Sequence, residues 1–276
     1  MKRTINCKGN LIDLSVPKVM GIVNLTPDSF YTESRALKNN SLLRKVELML
    51  SEGATFIDFG GYSSRPGADF VTEEEEKSRL LPQIEVILKE FPEILLSVDT
   101  FRASVAANAI DRGACIVNDI SGGNLDPTMF RLIAERQVPY ILMHMRGTAE
   151  TMSSLNTYQN LLLDIISELQ KKVKSLNQLG VNDLIIDPGL GFAKDVNQNY
   201  EIVKHLKRFG CLKHPLLIGA SRKSMVYKHL DIPPQEALNG TTVIHTASLL
   251  NGASILRVHD VKEAVEAVKI TNLLKN

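Results

Sequence analysis

The chain repeats one unit eight times: a short apolar run ends at a polar residue, and a helical stretch leads to the next run. Strands that alternate with helices predict a parallel sheet, and eight such units predict a closed (β/α)8 TIM barrel. A length of 276 residues suits one barrel, so we expect a single domain over residues 1–276. The runs and their polar ends are VMGIVN (Asn24), TFID (Asp58), LLSVD (Asp99), CIVND (Asn118, Asp119), YILMH (His144), LIID (Asp187), LLIGASRK (Lys223) and ILRVH (Arg257, His259).

A doubly wound open sheet is the alternative architecture. Such a sheet normally carries a glycine-rich fingerprint after its first strand. Here the first strand is followed by NLTPDSF, and no GxGxxG follows any strand, which favours the barrel. Residues 4–14 place Gly-Asn between two apolar stretches. They predict a β-hairpin within residues 1–18 that covers the lower end of the barrel.

Local signals predict where helices begin and end. Thr72 starts a Thr-Glu-Glu-Glu capping box, and Pro82 is expected to kink or restart the helix that follows. Pro233 and Pro234 are expected to divide the helix after Lys223 into two pieces. A glycine that ends a helix in a left-handed cap is expected at Gly53, Gly113, Gly180, Gly210 and Gly252.

Composition limits the classes of partner. The 32 Lys and Arg residues nearly balance the 31 Asp and Glu residues, so no global field attracts nucleic acid or an anionic membrane. Cys7, Cys115 and Cys211 are widely spaced and are expected to be free thiols in a reducing cytoplasm. No apolar signal region or run of roughly 18 apolar residues is present. We therefore expect a soluble cytoplasmic protein, and any anion that it binds must be held by local groups.

Three polar residues at strand ends suggest the kind of ligand. The carboxyl ends of barrel strands meet at one mouth, so Asp99, Asn118 and Asp187 are expected to surround one cavity. Each of them, taken alone, could simply cap a helix. Together, carboxylates and an amide match the alternating donors and acceptors of a planar, nitrogen-rich heterocycle.

An anion site is expected beside the seventh and eighth strands. Ser221 and Ser224 could cap the helix after the seventh strand, where free N–H groups favour a carboxylate or phosphate. Lys223 adds a positive charge there. Arg257 and His259 alternate along the eighth strand, so both would face a diphosphate. An ordinary capped helix and a histidine satisfied within the core are the alternatives.

Two loops after the first and second strands are rich in Pro, Gly and hydroxyl groups. They are NLTPDSF, residues 24–30, and GGYSSRPGA, residues 60–68. This composition is typical of mobile binding loops at a barrel mouth, and ordinary turn chemistry is the alternative. Composition alone leaves both interpretations open.

Taken together, the motifs resemble the dihydropteroate synthases of folate biosynthesis, from Met20 to His259. The matching segments are MGIVNLTPDSF, DFGGYSSRPGA, SVDT, VNDISGG, HMRGTAETM, DPGLGFAK, IGASRKS and RVHD, in the order typical of that family. The resemblance implies a transferase that joins 6-hydroxymethyl-7,8-dihydropterin diphosphate to the amine of p-aminobenzoate and releases diphosphate. It also implies Mg2+ as cofactor and a homodimer.

The resemblance assigns roles to individual positions. Asp99, Lys223 and Arg257 would be catalytic, and Arg257 would lie over the pterin face. The pterin edge would be bound by Asp99, Asn118, Asp187 and Lys223, and its apolar walls would be Ile120, Met143, Phe192 and Gly219. The diphosphate would be bound by Asn24, Arg65, Arg257 and His259, with Mg2+ on Asn24. The p-aminobenzoate pocket would be formed by Phe30, Ser64, Pro66 and Ser224.

The chain departs from the usual pattern of that family in four places. The departures are Tyr62-Ser63-Ser64 for Glu-Ser-Thr, Tyr31-Thr32-Glu33 for Ser-Asp-Gly, Ala149 for Pro, and Arg146 for Gln. None removes a pterin contact. The departures therefore concern the p-aminobenzoate pocket and the sensitivity of the enzyme to sulfonamides.

The implied reaction separates charge when the carbon–oxygen bond breaks. Asp99 and Asp187 would favour the positive methylene, while Mg2+, Arg65, Arg257 and His259 would stabilise the diphosphate. This arrangement predicts a dissociative, carbocation-like step without a covalent enzyme intermediate. Two alternatives stay open. One is a barrel that passes a methyl group from methyltetrahydrofolate to a corrinoid, and the other is a catalytically silent paralogue that binds pterin.

Overall fold

The computed structural model describes residues 3–25, 35–62 and 71–275, and these ranges form the predicted barrel. Parallel strands lie in the order β8-β7-β6-β5-β4-β3-β10-β9, and a parallel bridge between Ile186 and Leu216 joins β8 to the start of β9. The strands of this barrel are β3 (Lys18–Asn24), β4 (Phe56–Gly60), β5 (Leu95–Asp99), β6 (Ile116–Asp119), β7 (Tyr140–Met143), β8 (Leu184–Asp187), β9 (Leu217–Ile218) and β10 (Ile255–Val258).

Helices alternate with the barrel strands and cover their outer face. Because the strands are buried on both faces, their sequences are almost continuously apolar. The α-helices of the described ranges are α1 (Arg35–Ser51), α2 (Glu73–Glu90), α3 (Ala103–Asp111), α4 (Met129–Arg136), α5 (Leu161–Gln178), α6 (Val196–Lys204), α7 (Ser224–Tyr227), α8 (Leu238–Leu250) and α9 (Val261–Lys275). Short 3-10 helices span Met152–Ser154, Leu206–Leu212 and Pro234–Glu236.

The predicted amino-terminal hairpin is confirmed, with its turn one residue earlier than the Gly-Asn pair suggested. Strands β1 (Thr4–Cys7) and β2 (Asn10–Asp13) are antiparallel. Lys8 and Gly9 form the turn with φ of 53° and 83°, the left-handed values that a tight hairpin requires at both central residues.

The hairpin covers the amino-terminal end of the barrel, as expected. Ile5 and Cys7 of β1 pack in one apolar cluster with side chains from the barrel strands. The strand residues of this cluster are Met20, Phe56, Ile116, Ile141, Ile185, Leu217 and Ile255. This end of the barrel is therefore apolar and filled, and the polar chemistry is left to the opposite end.

Most of the predicted helix ends are confirmed. Gly53, Gly113, Gly180 and Gly252 adopt positive φ just after a helix. The helix end predicted at Gly210 is wrong, because Gly210 lies inside the 3-10 helix Leu206–Leu212. Lys213 takes the left-handed position instead, with φ 63°.

The helix start predicted at Thr72 and the break predicted at Pro233 are confirmed, but the kink or restart predicted at Pro82 is not. Thr72 caps α2, and its hydroxyl accepts a hydrogen bond from the Glu75 N–H at 3.3 Å. The helix then continues through Pro82 to Glu90, so it does not restart there. The predicted break before Pro233 is confirmed, since α7 ends at Tyr227 and α8 begins after a 3-10 turn. Within the described ranges, no helix has both the length and the apolar character needed to cross a membrane.

Candidate active site

The ends of neighbouring strands place polar residues at one level of the barrel mouth. The backbone register pairs Asn24 with Gly60, Gly60 with Asp99, and Asp99 with Asn118. Further round the barrel, Asp187 pairs with Met143. Because paired strands lie only about 4.8 Å apart, these residues surround one opening at the carboxyl ends of the strands.

Arg257 bridges two carboxylates in this opening. Its Nε donates to Oδ2 of Asp58 at 2.6 Å, and its Nη2 donates to Oδ2 of Asp99 at 2.6 Å. Asn118 Nδ2 donates to the same Asp58 oxygen at 2.9 Å. Side chains from β4, β5, β6 and β10 thus form one charged network, in which a guanidinium that bonds two carboxylates at once favours a fixed geometry.

Asp58 belongs to this network, although the sequence analysis gave it no role beyond ending a strand. It has no exposed surface, and its second oxygen, Oδ1, has no hydrogen-bond partner among the described residues. A buried charge requires a partner, and the partner here is Arg257. The buried carboxylate at the end of β4 was a usable signal, but its cation lies 199 residues away in the chain.

Asp119, next to Asn118, has a structural role. Its carboxylate accepts hydrogen bonds from the N–H groups of Ser121 and Gly123 at 2.7 and 2.8 Å. It also accepts one from the Tyr140 hydroxyl at 2.7 Å. The carboxylate therefore holds the turn after β6 and has few lone pairs left for a ligand.

Burial changes the ionisation of the carboxylates in the mouth. Burial is the main cause that raises the pKa of Asp99 to about 7; the Arg257 guanidinium limits this rise, and the Asp58 carboxylate contributes to it. Burial also raises the pKa of Asp187, and the Lys223 ammonium opposes this rise. Such shifts are typical of groups that surround a binding site.

Asp187 and Lys223 face each other across the loops after β8 and β9. Asp187 Oδ1 accepts the Gly189 N–H at 2.7 Å, and Lys223 Nζ donates to the Leu190 carbonyl at 2.5 Å. Burial lowers the pKa of Lys223 to about 8, and the nearby Asp187 carboxylate limits the fall. The pair therefore offers a ligand one hydrogen-bond acceptor, the second oxygen of Asp187, and one positive charge, on Lys223, whose proton is lost more readily than usual.

An apolar wall stands beside these polar groups. Ile120, Met143 and Phe192 pack in one cluster with other apolar side chains of the mouth. Lys223 Nζ lies 4.7 Å from the centre of the Phe192 ring. A Cβ placed on Gly219 would lie 3.8 Å from Lys223 Nζ and 3.9 Å from Arg257 Cβ, so Gly219 forms a flat surface between the two cations.

Ser221 binds His259, so the prediction that it caps the next helix is wrong. The Ser221 hydroxyl accepts the His259 N–H at 3.1 Å and lies 3.1 Å from His259 Nδ1. Residue Lys223 is the N-cap of α7, without a side-chain cap, and α7 is only four residues long from Ser224. The expected anion site at a helix N-terminus is therefore not supported by the length of this helix.

His259 is positioned as a neutral hydrogen-bond donor. Burial, together with the positive charge of Arg257, lowers the pKa of His259 to about 4. A hydroxyl that already accepts one bond can donate its proton to Nδ1, which leaves the imidazole proton on Nε2.

Asp99, Asn118 and Asp187 are not helix caps, so the alternative interpretation is wrong for all three. Among the described residues, Thr72, Asn160 and Asp195 have side chains that cap the helices following them. The side chains at the strand ends are therefore available to a ligand or to the charged network.

Four predicted site residues, Phe30, Ser64, Arg65 and Pro66, lie outside the described residues, as do Ser63 and Tyr31-Thr32-Glu33. Tyr62, the last described residue before the second gap, packs edge-on against Phe101 with ring centres 5.2 Å apart. The Arg102 guanidinium lies over both rings and also pairs with the buried Glu76. Tyr62 therefore has a packing role where the family usually has Glu.

Comparisons with known proteins show which family the chain resembles. The sequence model of the pterin-binding enzymes matches residues 20–259. The dihydropteroate synthase of Bacillus subtilis is 41% identical over 260 residues, which cover 94% of this chain and 88% of that protein. The dihydropteroate synthase of Escherichia coli K12 is 40% identical over 268 residues, covering 95% and 93%.

Solved structures extend the similarity to three dimensions. The crystal structure of the Yersinia pestis dihydropteroate synthase in a sulfonamide drug complex matches with a TM-score of 0.92 and 39% identity, covering 99% of each chain. The Xanthomonas albilineans dihydropteroate synthase with 4-aminobenzoic acid matches with a TM-score of 0.91 and 32% identity, covering 100% of this chain and 99% of that one.

Proposed function

The chain belongs to the pterin-binding enzyme family, and we infer from this membership which of its residues perform the reaction of a dihydropteroate synthase in folate synthesis. The reaction joins 6-hydroxymethyl-7,8-dihydropterin diphosphate to p-aminobenzoate and releases diphosphate. The observation that carries the assignment of residues is the network of Asp58, Asp99, Asn118 and Arg257 in the barrel mouth.

We propose that the pterin ring lies between the apolar wall and the charged network. The Asn118 amide donates to Asp58, which leaves its oxygen to accept from a ring N–H. Asp187 has one oxygen committed to the Gly189 N–H and a second available to the ring. Lys223 supplies a donor, and Phe192, Ile120, Met143 and Gly219 supply the flat apolar surroundings.

The proposed chemistry is electrostatic. Arg257 uses two of its five N–H groups on Asp58 and Asp99, so three remain for the substrate. Arg257 and the Nε2–H of His259 would stabilise the leaving diphosphate, with Arg65 in the family role. Asp99 and Asp187 would stabilise positive charge on the methylene. These groups favour a dissociative step followed by attack of the amine.

We propose magnesium as the cofactor, held by Asn24. The amide oxygen at the end of β3 is a hard donor, and the described residues contain no group of three or more His, Cys, Asp or Glu side chains that could hold a metal. This donor set fits Mg2+, which commonly takes few protein ligands and completes its shell with water and phosphate oxygens. When bound, the ion supplies positive charge that favours departure of the diphosphate.

The function is tested by mixing the purified protein with the pterin diphosphate, p-aminobenzoate and Mg2+. We expect release of diphosphate that depends on both substrates. A barrel that transfers a methyl group from methyltetrahydrofolate to a corrinoid would release none. A catalytically silent paralogue would bind the pterin diphosphate without turnover, and either outcome would contradict the proposal.

The two substrates are expected to bind in order. In the proposed complex, Asn24 and Arg65 would connect the diphosphate to the segments that follow β3 and β4, and the sequence places Phe30, Ser64 and Pro66 in the same segments. Titration calorimetry should show little heat for p-aminobenzoate added to free enzyme, and clear binding once pterin, diphosphate and Mg2+ are present. Equal affinity in both conditions would show that the p-aminobenzoate pocket, which includes Ser224, forms without the first substrate.

We propose that residues 1–276 form a single domain and that two copies associate through α8 and α9. Large apolar side chains are exposed on these helices: Val243 is 60% exposed, Ile270 61% and Leu273 77%. Exposed apolar patches often mark subunit interfaces, and the family resemblance implies a second copy as the occupant. Sedimentation analysis should give the mass of a dimer, and Val243→Glu with Ile270→Glu should shift the protein toward a monomer.

We also propose a cytoplasmic location. Cys7 and Cys115 are buried free thiols, and Cys211 is a free thiol on the surface. Thiols persist in the reducing cytoplasm, whereas oxidising compartments favour disulfides.

A further inference from the structure

A polar cluster that contacts the backbone of Phe192 takes no part in the assignments above. It consists of Lys194 from the loop after β8, His144 from the end of β7, and Glu168 from α5. Lys194 Nζ lies 3.0 Å from His144 Nδ1 and donates to the carbonyl oxygens of Gly189 and Phe192 at 3.0 and 2.8 Å. The ammonium group therefore joins two loops of the barrel mouth.

The protonation of His144 follows from its neighbours. The ring is 3% exposed, and burial lowers its pKa to about 4, so it is neutral at neutral pH. Its Nε2 lies 3.0 Å from Oε2 of Glu168, and this hydrogen bond lowers the pKa of Glu168 to about 2. An ionised carboxylate only accepts, so the proton lies on Nε2, and Nδ1 accepts from Lys194. Burial lowers the pKa of Lys194 to about 7, and in the protonated form all three N–H groups have an acceptor: His144 Nδ1 and the carbonyl oxygens of Gly189 and Phe192.

Arg146 and Tyr158 connect Glu168 back to the loop after β8, which carries Lys194. Arg146 Nε donates to Glu168 at 3.1 Å, and the Arg146 guanidinium lies 4.0 Å from the centre of the Tyr158 ring. The Tyr158 hydroxyl donates to the carbonyl of Ala193 at 2.8 Å. These contacts form a closed circuit. It leads from Lys194 through the side chains of His144, Glu168, Arg146 and Tyr158 to the backbone of Ala193, the residue before Lys194.

The loop inside this circuit has a backbone that needs external support. Gly189 and Gly191 have φ of 73° and 80°, and Ala193 has φ of 49°, a left-handed value that a side chain disfavours. A Cβ on Gly189 would lie 2.1 Å from the His144 carbonyl oxygen, so the loop is pressed against the end of β7. Such a conformation persists only when the surroundings hold it.

We propose that Lys194 is a positioning residue for the pterin, because it holds the loop that presents Asp187 and Phe192 to the ring. The inference rests on the proposed function, which places the pterin against these two residues. Lys194 acts through the loop, since its donors are committed to His144 and to two backbone carbonyls. Glu168 supports it by fixing the imidazole.

The test compares Lys194→Met with Lys174→Met. Met retains much of the apolar stem but removes all three donors, while Lys174 is an exposed residue of α5 that serves as the control. We expect the pterin diphosphate Kd and KM of Lys194→Met to rise about tenfold or more, the factor that 1.4 kcal/mol represents, with kcat changed much less. The control should match the wild type.

A second variant covers the case in which Lys194→Met does not fold. Glu168 is 36% exposed, and Glu168→Gln leaves the loop its direct bonds, so we expect the pterin diphosphate Kd to rise about threefold. Pterin affinity within twofold of the wild type in the folded Lys194 variant, or in Glu168→Gln if only that one folds, would overturn the inference. A loss of kcat at unchanged KM in that variant would also overturn the inference. Failure of the wild type itself to bind the pterin would instead contradict the proposed function.

Discussion

Replacing Arg257 by Met is expected to destabilise the protein and to remove most of its affinity for the pterin diphosphate. The change leaves the Asp58 and Asp99 carboxylates without their shared cation, and Asp58 has no exposed surface. Breaking a buried ion pair by removing one partner costs about 3–5 kcal/mol. Denaturant unfolding would measure the loss of stability, and calorimetry would measure the loss of pterin binding.

Two further variants separate charge from geometry. Arg257→Lys retains a positive charge but cannot span both carboxylates, so we expect intermediate stability. Adding Asp58→Asn to Arg257→Met removes one uncompensated charge and should recover part of the stability without recovering binding. If Arg257→Met unfolded with a free energy within about 0.5 kcal/mol of the wild type, the network would not hold the strands together.

Asp187→Asn should weaken binding of the pterin diphosphate without unfolding the barrel. In the proposed complex the carboxylate accepts hydrogen bonds from ring donors, and an amide would present its own donor at that place. Leaving a buried polar group unpaired costs about 1–3 kcal/mol, which corresponds to about 5- to 150-fold in Kd. Calorimetry would measure the change. Asp195→Asn is the matched control, because Asp195 is an exposed helix cap and Asn caps equally well.

The same variant should change the pH dependence of binding. Lys223 loses its charge as the pH rises through about 8, and the Asp187 carboxylate raises the pKa of Lys223. Removing that carboxylate lowers the pKa, so the decline in affinity at high pH should begin at lower pH in Asp187→Asn. Measurement of Kd between about pH 6 and 9 would show this, and an unchanged midpoint would mean that Lys223 does not bind the pterin as a cation.

The barrel could be predicted because its cause is local. A parallel strand that is buried on both faces needs a short apolar run, and each of the eight runs carries that signature with a polar residue at its end. Gly210 shows the limit of such signals. Glycine is favoured in the left-handed conformation, but other residues can adopt it, and here Lys213 takes that position at the end of the 3-10 helix.

The contacts within the site could not be predicted in the same way. Ser221 has a hydroxyl suited to capping, and only the closeness of the loops after β9 and β10, 38 residues apart, makes it a partner of His259. The role of Asp58 could not be predicted for the same reason, since its partner Arg257 lies on the last strand of the barrel. The family resemblance named Asp99, Asn118, Asp187, Lys223 and Arg257, and their roles stay predictions until they are measured.

The bridge made by Arg257 can form only when the barrel is complete. The last strand, β10, pairs with the first barrel strand, β3, and delivers the guanidinium to carboxylates on the second and third barrel strands. A growing polypeptide therefore exposes two acidic groups long before their counter-charge is synthesised. In the proposed complex, a chain whose last strand has not joined β3 would offer the pterin diphosphate two carboxylates without their cation, so substrate binding would require a closed barrel.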